Sequence, residues 1–385
     1  MNSHRIAVAI AALVVAATGA DAADKVYGVE ISPSGKHYAV LRDAGDQRAL
    51  AIYLVDDPSM PPQGIGLGTV KVEDLEWGGD DYVLVRFSGE KGGLDTVQGL
   101  QKLEFQRWMS ISRETGASRT LFGNEEGADY YYFIASAGAL LASNPGGGDR
   151  AIFARSYPQV SNPGPSRLKQ GQDQLLYSLQ SANLKTGDIK RESDGEKNTI
   201  DWIVDAKGKP VARIDQYEAT KKIEIMAANA NGKGFLKSGE ISGDQMAKEQ
   251  INFTGVGASP RSLQALRNLG GGQSLTEYDL DAGAFKTDAQ DVGAVSRIAY
   301  DPREARARIL YSAAVGGERV HHVDPADQKT QASLEKAIEG AAISIVSKST
   351  DGMRMIGRAD YRGKGSEFYL FDKAAKRLEL VAANE

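Results

Sequence analysis

From Val26 onward, short runs rich in Val, Ile, Leu, Tyr and Phe alternate with clusters of Gly, Asp, Asn and Ser, and helical periodicity is scarce. The pattern predicts strand, turn, strand. The clearest runs are residues 38–41, 50–55, 82–87, 130–134, 200–204, 308–313 and 367–371. Several are apolar without alternation, so these strands need cover on both faces, which stacked sheets supply.

Two turn signals recur in the same place. ISPSGKHYAVL (residues 31–41) and SKSTDGMRMIGRADY (residues 347–361) both place Ser, a polar-Gly turn, a basic residue and then a strand. Similar units surround Gly78, Gly79, Asp80 and Asp81, then Lys207 and Gly208, then Asp301 and Pro302. Units of this kind begin near Val26, Val72, Ala128, Asn198, Asn252, Val295 and Ala342. A spacing of roughly 50 residues is that of propeller blades of four strands. The fold expected is therefore all-β, a β-propeller of seven blades of four antiparallel strands, with six or eight as the margin. A pair of β-sandwich domains is the competing arrangement. Closure of a propeller usually places strands from both chain ends in one sheet.

Asp324 as N-cap, Pro325 at the first helical position and an apolar stripe of Leu334, Ala337 and Ile338 up to Gly340 predict one short helix over residues 325–339. Residues 144–148 and 157–165 are rich in Pro and Gly and read as long surface loops of the third unit.

Composition narrows the function classes. With 41% hydrophobic and 25% charged residues in 385, the chain has material for a large core. The charge of -5 and the lack of a Lys/Arg run argue against nucleic acid as a partner. With no cysteine, disulfides, thiolate nucleophiles and thiolate metal sites are excluded. Residues 1–22 carry Arg5, an apolar run over residues 6–17 and the small-x-small pattern Ala20-Asp21-Ala22 before Ala23. This predicts a secretory signal cleaved after Ala22, a periplasmic or secreted product, and a single propeller domain over residues 23–385. About a dozen apolar residues are too few to span a bilayer that needs roughly 20, and no other stretch is apolar enough to cross one.

IVDAKGKPVARI (residues 203–214), the 347–361 segment, EFYLFDKAAKRLELV (residues 367–381) and the helix before the last unit resemble the N-terminal propeller of bacterial prolyl-oligopeptidase-type serine peptidases. In that family the propeller caps an α/β-hydrolase domain that follows the last blade. What the resemblance implies for these residues is the cap alone, a non-catalytic module that gates and binds peptide or protein, with such a hydrolase domain as a partner. Alternatives are the first part of an active serine peptidase and a scaffold resembling TolB-type propellers, whose blades carry a similar Ser-Pro-Asp-Gly turn.

No catalytic residue is carried over. The strained Gly-x-Ser-x-Gly elbow is missing from the sequence, and Ser238 and Ser274 lack the flanking glycines. After signal removal only His37, His321 and His322 remain. His321 and His322, adjacent on a strand, point to opposite faces and read as structural or surface histidines, so no metal site is expected. Residues 279–283 look like a calcium loop, but the glycine comes early and Gln290 stands where a bidentate Glu belongs, so a hairpin turn is the reading. Gly64, Gly66 and Gly68 read as a loop between blades rather than a dinucleotide motif. The pairs Asp56-Asp57, Asp80-Asp81 and Glu125-Glu126 read as solvated turns. The aromatics Tyr130, Tyr131, Tyr132 and Phe133 read as a buried strand, and Asn252-Phe253-Thr254 as a chance sequon. No cofactor is expected, and the binding residues stay open.

Overall fold

A computed structural model describes residues 25–96, 99–122, 136–159, 174–229, 231, 234–314 and 317–384. Among these residues the chain forms a β-propeller of seven consecutive antiparallel groups, numbered here as blades 1 to 7. Blade 1 contains Val26–Ile31, His37–Ala44, Gln47–Leu54 and Gln63–Gly68, paired in that order. Blades 2 to 7 occupy residues 71–121, 139–193, 199–241, 252–293, 295–322 and 341–383. Blade 6 departs from the expected four strands and has three, Val295–Asp301, Arg306–Ala314 and Gly317–His322. The cause is local: Asp324 caps a helix and Pro325 has no N–H, so the chain leaves the sheet where a fourth strand would start.

The chain divides into two compact units, one holding blades 1, 2 and 7 and the other blades 3 to 6. In the first unit, Leu41, Leu50, Leu75, Trp77 and Val85 form the apolar layer between blades 1 and 2. Val29, Ile31, Val40, Ile356 and Leu370 form that between blades 7 and 1. The recurrent turns are the same structure. Ser32 N–H donates to the His37 carbonyl (2.8 Å) while its Oγ accepts from His37 N–H (3.2 Å). Ser349 repeats both bonds with Arg354 (2.8 and 3.0 Å). Gly35 closes the first turn at φ +74°, a conformation only glycine adopts without strain.

Among the described residues, the first and last strands do not share a sheet, contrary to the usual closure, because each of blades 1 and 7 is built from one continuous stretch. Polar contacts join these two blades in addition to their apolar layer. Ile31 N–H donates to Ser347 Oγ (3.0 Å), Thr350 N–H to the Pro33 carbonyl (2.8 Å), and Arg354 reaches the Gly35 carbonyl (3.0 Å), Asp56 and Asp372.

In the second unit, Trp202 is buried between blades 3 and 4 with Leu141, Ile152 and Leu179, and its Nε1–H donates to the Tyr177 carbonyl (2.6 Å). Ile214, Ile225, Leu263 and Tyr278 join blades 4 and 5. Blades 5 and 6 meet through Gly255 and Arg306, with Val256 N–H donating to the Ala305 carbonyl (3.0 Å). Gly255 sits at φ +128°, and a Cβ there would collide with the Ala305 carbonyl.

Among the described residues two α-helices occur where one was expected. Helix α1, Gly243–Glu249, buries no residue and so has no apolar stripe to betray it. Its signals are its ends: Ser242 Oγ accepts from Gln245 N–H, and Gln250 adopts the left-handed conformation. Helix α2, Pro325–Ala337, matches the expected position, with Asp324 Oδ1 accepting from Ala326 N–H (2.8 Å) and Leu334 and Ile338 buried against Ile343, Ile345 and Met355.

Three local readings are corrected. Gly64, Gly66 and Gly68 lie in the fourth strand of blade 1, because Ile65 and Leu67 between them are buried. Residues 144–148 form a short hairpin turn around Pro145–Gly147, closed by Asn144 and Gly146 in the left-handed region, rather than a long loop. Tyr157 belongs to the strand Arg150–Gln159.

Candidate functional site

The second unit carries a groove of about 1270 Å³, bounded by the connection from blade 3 to blade 4, two turns of blade 4 and the first turn of blade 5. Its apolar shelf is Val211, Met226, Phe235 and Val256. Phe235 is held edge-on to Trp202 (5.5 Å between ring centroids), so the buried indole that joins blades 3 and 4 also sets the groove's aromatic surface. Arg213 lies over the same Phe235 ring at 5.4 Å. Its guanidinium is buried but satisfied, donating to Asp215 (2.8 Å) with Glu196 at 3.6 Å. Thr199 Oγ1 donates to the other Asp215 oxygen (2.7 Å), which stabilises the pair as a fixed element.

The loop from Gly257 to Arg261 forms one wall, and it is buttressed from behind by Glu277. That carboxylate accepts Ala258 N–H (2.5 Å), Ser262 Oγ–H (3.1 Å) and Lys286 Nζ–H (2.7 Å). Burial alone would raise its pKa, but the Lys286, Ala258 and serine hydrogen bonds prevail and hold it at about 2. A second cavity of about 460 Å³ shares Ala258 and Ser259 with the groove, so this loop separates two concavities.

Asp201, on the first strand of blade 4, is pushed up to about 6 by burial, against the opposing hydrogen bond from Trp202 N–H (2.8 Å). Tyr177 is raised to about 12 by burial and by the Asp201 charge. Tyr300 is raised by the same two causes, and its hydroxyl donates to the Leu141 carbonyl (2.9 Å).

The residues singled out in the sequence are scattered. His321 and His322 end the third strand of blade 6, His322 buried and His321 half-buried. His37 starts the second strand of blade 1, with its pKa lowered by burial and by Arg113. Asp279 makes the expected hairpin turn, accepting the Asp281 and Ala282 N–H groups (2.9 Å each). Asp56 pairs with Arg354, while Asp80 accepts Ser34 N–H (3.0 Å) and Asp81 faces Arg113 (3.3 Å). Ser238 donates to the Leu280 carbonyl (2.5 Å), and Ser274 is buried in a strand. Ala20, Ala22, Ala23, Glu125, Glu126, the unit start at Ala128, the aromatics at residues 130–133 and residues 160–165 lie outside the described residues. The groove itself had no signal in the sequence, since its walls come from positions up to 70 apart that only the blade packing assembles. Among the described residues, no cluster of three metal-ligating side chains occurs and no helix is long and apolar enough to cross a membrane.

No family model matches the sequence, and no curated protein matches it. Solved structures do. A prolyl endopeptidase matches 94% of this chain with 50% of its own, at a TM-score of 0.53 and 11% identity. TolB from Acinetobacter baumannii matches 92% of this chain with 66% of its own (TM-score 0.37, 11% identity). The propeller domain of the trilobed protease from Pyrococcus furiosus matches 77% with 78% (TM-score 0.42, 12% identity). The chain thus shares the propeller fold of the prolyl endopeptidase and spans about half of that protein's length.

Proposed function

We propose that the chain is an exported β-propeller that binds peptide or protein segments in the second unit's groove without cleaving them. The observation that carries this reading is the groove's make-up: a rigid aromatic and aliphatic shelf flanked by exposed Asp194, Glu196 and Arg261, a combination suited to an extended polypeptide with mixed side chains. Its serines, Ser193, Ser259 and Ser262, have no histidine beside them among the described lining residues. The test is titration of fluorescent unstructured peptides. Binding that falls at least tenfold in Phe235→Ala, with peptides recovered intact, supports the reading; binding unchanged by that substitution rejects it. Export is tested by the mass of the chain in an extracytoplasmic fraction, expected to begin at Ala23.

A second reading is that these residues are the cap of a serine peptidase. It is favoured by the half-length match to the prolyl endopeptidase. An antibody against the propeller distinguishes the two: a native band at the mass of residues 23–385 supports the first, and one larger by a hydrolase domain supports the second.

A further inference from the structure

Blade 6 stops at three strands, and its third strand, Gly317–His322, is paired on one side only among the described residues. The register fixes which main-chain groups face outward. Val323 N–H donates to the Arg308 carbonyl (2.9 Å), so the exchanging pairs run through residues 321, 319 and 317, and the N–H groups of those residues face the second strand. His322 N–H points the other way and donates to Gln328 Oε1 (3.0 Å). Val320 and Glu318 have the same parity as His322. Their N–H and C=O groups therefore face outward, and no described residue meets them. Gln328 marks one end of this ledge.

The side chains select what could pair there. Arg319 is exposed and has no ion-pair partner among the described residues, whereas Glu318 is engaged by Ser296 (3.1 Å) and Arg297 (3.3 Å). Arg319 and His321 lie on one face of the strand, with the half-buried Val320 between them on the other. A strand added antiparallel to this edge places a residue directly opposite Arg319, within about 5 Å between Cβ atoms. A carboxylate belongs there, with a β-branched residue opposite Val320.

We propose that the third strand of blade 6 is a docking edge for an extended acidic segment of a partner protein, which adds as the missing fourth strand through the main-chain groups of Glu318 and Val320. This surface is separate from the groove and does not depend on it. It adds main-chain recognition by strand addition, with specificity set by Arg319.

The experiment uses the full chain and two labelled peptides, Thr-Val-Glu-Val-Glu-Val-Thr and its counterpart with lysine in place of glutamate. The acidic peptide is expected to bind at least tenfold tighter than the basic one. Val320→Pro removes one outward N–H and touches no bond to the second strand, so it should weaken binding at least tenfold with an unchanged melting temperature. Arg319→Glu should reverse the peptide preference. Amide exchange at Glu318 and Val320 should be fast in the free protein and slow with the acidic peptide. Equal binding of both peptides, full binding by Val320→Pro, or a Val320 amide already protected in the free protein would each overturn the proposal.

Discussion

The side-chain amide of Asn384 brackets the main chain of Val26: its Oδ1 accepts Val26 N–H (2.5 Å) and its Nδ2 donates to the Val26 carbonyl (3.1 Å), across 358 positions of sequence. One side chain thereby ties the first strand of blade 1 to the end of blade 7, where a shared sheet was expected. Two such bonds contribute about 1–2 kcal/mol. Asn384→Ala should lower the urea midpoint accordingly. Asn384→Asp should cost at least as much, since it loses the donor and sets a carboxylate against the Val26 carbonyl.

Gly255 is the point where blades 5 and 6 meet through the backbone, and its φ of +128° leaves no room for a side chain. Gly255→Ala should destabilise by roughly 2–4 kcal/mol, combining backbone strain with a clash that the Ala305 to Arg306 backbone cannot relieve cheaply. By contrast Gly45, a turn glycine with open space around it, should cost less on the same change, its penalty being the φ alone. Chemical denaturation of the two variants side by side checks the ranking.

Asp201 should make the protein more stable as pH falls through the mildly acid range. Its folded pKa, about 6, lies above the ordinary value of 3.8, so folding is penalised wherever the carboxyl is ionised in both states. That penalty is full above pH 6 and vanishes below about pH 4. Asp201→Asn keeps an acceptor for Trp202 N–H and should stabilise by about 2 kcal/mol at pH 8, with no gain at pH 4. Denaturation midpoints of the pair across that interval test the sign.

Glu277 has the opposite sign. Its folded pKa, about 2, is below the ordinary value of 4.5, so its contribution is fully present above pH 4.5 and is lost as pH falls toward 2. Glu277→Gln should therefore be less stable than the parent at pH 7, and the gap between their midpoints should close between pH 4.5 and 2. Because the carboxylate holds Ala258, the same variant should raise the dissociation constant of any ligand bound in the groove.

Much of the fold was legible in local patterns. Unit starts read near Val26, Val72, Asn198, Asn252, Val295 and Ala342 fall within one residue of strand starts at Val26, Lys71, Thr199, Asn252, Val295 and Ala341, because a polar turn after a β-branched run is a short-range signal. Asp324 and Pro325 announced helix α2 for the same reason. The strand of Gly64, Gly66 and Gly68 was hidden because its glycines weaken the propensity that Ile65 and Leu67 supply, and pairing with residues 48–52 decides the matter. Helix α1 was hidden because nothing on it is buried. The groove was hidden because Glu196, Arg213, Phe235 and Val256 have no local relation. Trp202 falls within the 200–204 run that the sequence marks as a strand, but its contact with Phe235 exists only once two hairpins of blade 4 are packed.

The measurement that bears most directly on this account is a photo-crosslinking map of a bound peptide. A peptide carrying a photoreactive phenylalanine analogue is irradiated with the full chain, digested and sequenced by mass spectrometry. The account predicts crosslinks concentrated at Met226, Phe235 and Val256 and along the Gly257 to Arg261 loop, with the peptide otherwise uncut. Crosslinks distributed outside the groove, or a peptide cleaved by the purified chain, would contradict it.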